Sequence, residues 1–153
     1  MGISIRAARQ DDTNMIAAIC QTALGYDCDL TMVTAQLARI QLRESERVWV
    51  ACDERTQRIM GFIHLADYET LFSGSMKNII ALAVSPADQG KGIGRLLIQT
   101  AEDWAWKNGC VGVRLESGFA RVKAHAFYLH CGYRLRKEHK NFIKERQTEV
   151  IAK

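Results

Sequence analysis

The stretch Ile79-Ile80-Ala81-Leu82-Ala83-Val84-Ser85-Pro86-Ala87-Asp88-Gln89-Gly90-Lys91-Gly92-Ile93-Gly94 decides how this chain is read. Six apolar residues, 79–84, form the longest such run and read as a central strand buried on both faces. A glycine-dense turn follows at once. It opens a segment, 93–106, in which Ile93, Leu97, Ala101 and Trp104 fall at helical spacing along one face. Strand, glycine turn and amphipathic helix together present backbone N–H groups at a helix N-terminus, where an anion docks. Glycines there let the main chain approach that anion without obstruction from side chains. The turn therefore reads as a cradle for a phosphate-bearing ligand.

Working outward, residues 3–8 read as a short strand. Asp11, Asp12 and Thr13 offer caps for a helix running to about residue 24. A second helix covers 30–42, with Val33, Leu37 and Ile40 on one stripe. Residues 47–52 and 59–68 read as the two strands of a hairpin around the polar turn 53–58. The buried strand spans 76–84. Beyond the glycine-led helix, which Asn108-Gly109 ends, residues 110–116 form a strand. Residues 121–130 form a helix stopped by Gly132. Two short closing strands, 133–136 and 141–144, complete the order. Hairpins mixed with helices predict a mixed α/β chain: a mostly antiparallel twisted sheet with helices on both faces.

The 153 residues suit one domain, 1–153, with a sizeable core. No apolar run approaches the ~20 residues that a spanning helix needs, and no secretory leader is evident. The five cysteines (20, 28, 52, 110 and 131) include no CxxC pair, so neither a zinc site nor a disulfide framework is expected. Buried thiols in a reducing cytoplasm are the simplest reading. The net charge of +4 is uneven: residues 121–146 carry +6 and the remainder −2. Such a segment serves either an anionic ligand or a solvated, charge-protected strand edge. No recognised nucleic-acid motif accompanies it.

Which phosphate ligand is a question of loop type. A Walker loop requires GxxxxGK[ST], which is absent. A dinucleotide fingerprint requires GxGxxG after an early strand, whereas Gly90, Gly92 and Gly94 make GxGxG past the middle of the chain. The pattern Q/R-x-x-G-x-G/A is met by Gln89, Gly92 and Gly94. Here the chain resembles the GCN5-related N-acetyltransferase (GNAT) superfamily. The likeness takes in Leu82-Ala83-Val84-Ser85-Pro86, the loop, and Gly94-Arg95-Leu96-Leu97. It continues in Ala124-His125-Ala126-Phe127-Tyr128-Leu129-His130-Cys131-Gly132-Tyr133, similar to the family's AxxxYxxxGF/Y segment. The order of elements agrees over nearly the whole chain.

The resemblance implies acetyl-CoA as the acetyl donor, no metal, and a sheet splayed between its fourth and fifth strands. It implies that backbone N–H groups of Gly90, Lys91, Gly92, Ile93, Gly94 and Arg95 hold the CoA pyrophosphate, with Gln89 closing the loop. Leu82, Ala83 and Val84 would pair with pantetheine as a pseudo-strand. An N–H near Val84 would polarise the acetyl carbonyl. Tyr128 would give a proton to the departing thiolate, and Phe127 would line the cofactor. The implied activity is N-acetylation of a primary amine, of a small molecule or peptide, by direct attack in a ternary complex. No nucleic acid or membrane partner is implied; a homodimer fits the family.

The chain also departs from the pattern. Arg121 stands where many members carry an asparagine, and serves either a cofactor phosphate or the surface. Asn78 occupies the position of the glutamate base used by the histone-acetylating branch. Glu116, His64, Asp67, Tyr68 or a chain of ordered waters would have to take its place. Residues 25–27 and 68–74 fall where the family's acceptor loops lie. Trp106 lies off its helix's apolar stripe. Because the base is missing from its usual position, a non-catalytic acyl-CoA-binding or sensory module is the alternative reading.

Overall fold

The computed structural model describes residues 2–147. It falls into two compact units, Met1–Glu116 and Ser117–Lys153. The first contains β1 (Ile3–Ala7), α1 (Thr13–Ile19), α2 (Leu30–Gln41), β2 (Glu46–Asp53), β3 (Ile59–Tyr68), β4 (Met76–Val84), α3 (Ile93–Lys107) and β5 (Gly112–Leu115). The second contains α4 (Val122–His130). The sheet order is β1-β2-β3-β4-β5. The first three pairings are antiparallel and β4–β5 is parallel. This is the mixed, mostly antiparallel architecture that the sequence predicts.

Strand alternation divides the core. Val50, Cys52, Phe62 and Ala83 pack with Ile16 and Ile19 of α1 and Leu37 of α2 on one face. On the other, Ile93, Leu97, Ile98, Ala101 and Ala105 make the buried stripe of α3. Gly61 lets α3 lie close. A Cβ there would stand 2.8 Å from Ala83 O and 3.4 Å from methyl groups of Ile93 and Leu97. The C-terminal end of α3 is tied down by a buried cation. Lys77 Nζ bonds Asp67 Oδ1 at 2.5 Å and Asn108 Oδ1 at 3.2 Å, and lies 3.8 Å from the centre of the Trp104 ring. Trp104 also meets Trp49 edge to face at 5.6 Å.

The helix expected up to residue 24 is built in three pieces. A 3-10 turn, Gln10–Asp12, precedes α1, and a π-turn, Cys20–Leu24, follows it. The Asp12 carboxylate accepts the Arg9 N–H at 2.8 Å and pairs with both Arg6 Nη atoms at 2.7 and 2.9 Å. Gly25, at φ 75°, ends the π-turn. Asp29 caps α2 by accepting the Thr31 N–H at 2.8 Å.

Two expectations are corrected. The strand β4 is not buried on both faces: Lys77, Ile79 and Ala83 are buried, whereas Ile80 is 49% exposed. The cause is a bulge. Leu65 pairs with Ile79 and His64 with Ala81, so Ile80 is an extra residue in β4 that turns outward. Residues 133–136 and 141–144 also form no strands. Among the described residues they find no ladder partner, and Leu135, Phe142 and Ile143 are exposed beside the lysines and arginines of that stretch. A strand pattern without a partner gains no hydrogen-bonded ladder to offset its ordering entropy. Residues 134–147 are exposed throughout.

Candidate active site

The bulge coincides with a divergence. β5 pairs with β4 only from Met76↔Gly112 to Ile79↔Leu115. From Ile80 onward β4 keeps β3 as its neighbour, and Leu82, Ala83 and Val84 pair with Ile63, Phe62 and Gly61. Among the described residues, no strand takes the other edge of Ile80–Val84. That edge leads directly into the glycine turn.

The turn is held from below. Ser85 N–H donates to Met60 O at 2.8 Å, and Pro86–Asp88 makes a 3-10 turn. Gln89 Nε2 donates back to Val84 O at 3.3 Å. Gly90 and Gly92 have φ of 82° and 81°, the left-handed region that an L side chain rarely enters. Gly92 is the N-cap of α3, and no side chain caps the helix. The N–H groups of its first turn thus lack intrahelical acceptors, and the helix dipole makes that end positive.

Asp88 anchors this turn. Its side chain is fully buried, Arg58 grips both carboxylate oxygens at 2.7 Å, and Lys91 Nζ bonds Oδ1 at 3.0 Å. The Arg58 guanidinium, assisted by Lys91 and opposed by burial, pulls the Asp88 carboxyl down to about 2. Neither Asp88 nor Arg58 is apparent as a site residue in the sequence. They come together only when the β2–β3 hairpin folds beside the turn.

The face of the sheet that packs on α1 and α2 carries a polar group near the bulge. His64 Nε2 lies 3.0 Å from Glu46 Oε1, and Arg43 Nη1 bonds Glu46 Oε2 at 2.8 Å. Burial raises the Glu46 carboxyl, but the bonds from Arg43 and His64 outweigh it and hold it below its ordinary value. On the neighbouring strands, Arg114 Nη1 donates to Asn78 Oδ1 at 2.7 Å and Arg114 Nη2 to Glu116 Oε1 at 3.0 Å. The Arg114 guanidinium also covers the Tyr68 ring at 4.2 Å. Asp67 sits on the opposite face, engaged with Lys77. Glu46 was not legible as a site residue, since its partner is eighteen positions away on another strand.

In the second unit, Tyr128 lies on α4 between Phe127, at 5.4 Å between ring centres, and Tyr133, at 6.1 Å. Burial pushes the Tyr128 phenol above its ordinary value; the Arg121 charge opposes this and Cys131 adds to it. The group is therefore a neutral O–H at physiological pH. Arg121 is the exposed residue preceding α4, and its own N–H donates to Gly118 O at 3.0 Å. Ala124, Phe127, Tyr128 and Cys131 are all half-buried. His125 is bonded to Gly118 O at 2.8 Å. The cysteines are free thiols, and burial, then Cys28, pushes Cys20 up to about 12.

Comparison with known proteins bears on the family and the fold. The model of the acetyltransferase (GNAT) family matches residues 13–133. The chain belongs to that family. A streptothricin acetyltransferase of Escherichia coli is 35% identical over 60 residues, which span 39% of this chain and 34% of that relative. The aminoglycoside 6'-N-acetyltransferase AAC(6')-Ih from Acinetobacter baumannii superposes with a TM-score of 0.82 at 15% identity, covering 95% of this chain and all of that one. AAC(6')-Iy, solved with a CoA-linked bisubstrate analogue, gives 0.80 at 14% identity over 96% of this chain and all of that one. At such identities the likeness is one of fold.

Proposed function

We propose that this chain transfers an acetyl group from acetyl-CoA to a primary amine in a ternary complex. One observation carries the reading: β4 loses its β5 neighbour at Ile80, and its open edge runs into the uncapped N-terminus of α3. An open strand edge suits pantetheine, whose two amides pair as a strand would. The helix N-terminus suits the pyrophosphate. Gln89, Gly90, Lys91, Gly92, Ile93, Gly94 and Arg95 form the phosphate end, and Leu82, Ala83 and Val84 the pantetheine end. Arg121 and Phe127 are assigned to the cofactor, and Tyr128 to the thiolate, on the strength of the matched α4 segment. A phenol whose protonated form is favoured is suited to that donation.

Family membership and the partial match to a streptothricin acetyltransferase favour a small, amine-bearing acceptor. The test is a panel of streptothricin F, kanamycin A, spermidine and a lysine-containing peptide, each incubated with acetyl-CoA and read by mass spectrometry. An acetylated product is expected for at least one small-molecule amine. Binding of CoA without any product would instead favour the non-catalytic acyl-CoA module. Tyr128→Phe is expected to lower turnover at least tenfold while leaving the CoA dissociation constant within about twofold. Unchanged turnover would remove Tyr128 from the chemistry.

A further inference from the structure

The amine that enters an acetyl transfer carries an extra proton at neutral pH. Asn78 has no capacity to take it, and its amide oxygen is already engaged by Arg114. Asp67 points to the α3 face and is neutralised by Lys77. Glu116 is 66% exposed and paired with Arg114. Tyr68 lies under the Arg114 guanidinium.

His64 differs from all of these. It pairs across the sheet with Ala81, the first residue after the bulge, where β4 parts from β5. Directly opposed strand residues have Cβ atoms only about 5 Å apart. The divergence is therefore one residue-pair away from its imidazole. Register places it on the face of Asn78 and Arg114, the side opposite α3. Its side chain is 18% exposed, and Glu46, 11% exposed, holds Nε2 at 3.0 Å. A carboxylate on one ring nitrogen fixes the tautomer, leaving Nδ1 with the lone pair.

We infer that His64, oriented by Glu46, is the base that deprotonates the acceptor amine. The inference rests on the acetyl-transfer reading above. The ammonium gives one proton to His64 Nδ1, and the imidazolium so formed is stabilised by Glu46. The free amine forms the N–C bond to the acetyl carbonyl, and the C–S bond breaks as the intermediate collapses. The thiolate takes up the second proton leaving nitrogen. His64 later returns its proton to water, so the sum is acetylated amine, CoA thiol and one released proton. The charged and titratable groups on this face are Glu46 with its partner Arg43, Tyr68, Arg114 and Glu116, then Arg6 with Asp12 and Cys52 further along β1 and β2, with Cys20 of the π-turn packed alongside.

The experiment follows kcat against pH, at saturating concentration of the panel amine that the wild type acetylates fastest. His64→Gln is expected to lower kcat at least about 100-fold and to remove the acid limb of the profile. Its CoA dissociation constant, by calorimetry, should stay within about twofold. Glu46→Gln withdraws the carboxylate that orients the ring, so its kcat is expected to fall at least about tenfold, with the amine KM within about twofold. A His64→Gln enzyme that keeps the acid limb, or that stays within about threefold of wild-type kcat, overturns the assignment and leaves acetyl transfer intact. If His64→Gln does not fold, a wild-type kcat in Glu46→Gln overturns it. A wild type that acetylates no amine overturns the acetyl-transfer reading, and this inference with it.

Discussion

Asp88 shows how a single residue carries the turn. A fully buried carboxylate is costly unless its charge is matched, and here Arg58 and Lys91 match it. Its depressed pKa makes it a stabilising group above the ordinary carboxylate value of 3.8. That contribution is lost as pH falls from there toward about 2. Asp88→Asn should therefore lower unfolding free energy by roughly 2 kcal/mol at pH 7. The gap from wild type should narrow by pH 3. Urea titrations at the two pH values measure it; an equal gap at both would mean the ion pairs do not stabilise the fold. None of this was visible in the sequence, because Arg58 is thirty positions from Asp88. Tyr128, by contrast, was singled out by the likeness of residues 124–133 to the family's AxxxYxxxGF/Y segment. The limit is physical: local spacing reports a shared helix face, whereas charge pairing between elements depends on topology.

At the scale of elements, the glycine turn and β4 work as one piece. Gly92 adopts φ 81° as the N-cap of α3, yet a Cβ there would meet nothing within 4 Å. Conformation, not space, requires glycine at this position. Gly92→Val would force a β-branched residue into the left-handed region, at a cost of about 1–3 kcal/mol, or else reshape the turn. CoA binding by calorimetry is expected to weaken at least tenfold; retained affinity would remove the turn from cofactor binding. Strands and helices with sustained periodicity were legible to within one or two residues, as β3, β4 and α3 show. The bulge at Ile80 was not, since an uninterrupted apolar run has no alternation to break. The closing strands failed for the complementary reason: residues 133–136 and 141–144 have strand-like composition, but a strand exists only with its partner.

For the whole molecule, the net charge of +4 and the exposed basic stretch 134–147 favour a polyanionic ligand over long range. CoA carries several phosphate charges, so its affinity is expected to fall about three- to tenfold as salt rises from about 0.05 to 0.5 M. Titrations at the two salt concentrations check this, and an unchanged constant would assign binding to short-range contacts alone. Among the described residues, no helix is long and apolar enough to cross a membrane. Fold and family were thus readable from two motifs and an order of elements. The base proposed here was legible only as one of several candidates, because what sets His64 apart from Glu116, Asp67 and Tyr68 is Glu46 on another strand and the bulge across the sheet.

The aromatic stack at the far end of α3 has an optical consequence. Trp104 stands edge to face with Trp49 while the Lys77 ammonium lies over its ring; the third indole, Trp106, is exposed. A cation over an excited indole perturbs its emission, and two indoles at this distance couple in circular dichroism. With Trp106→Phe in place, the remaining fluorescence becomes a built-in gauge of how α3 rests on the sheet. Because the glycine turn opens that same helix, the gauge reads at one end of α3 what a ligand at the other end would do.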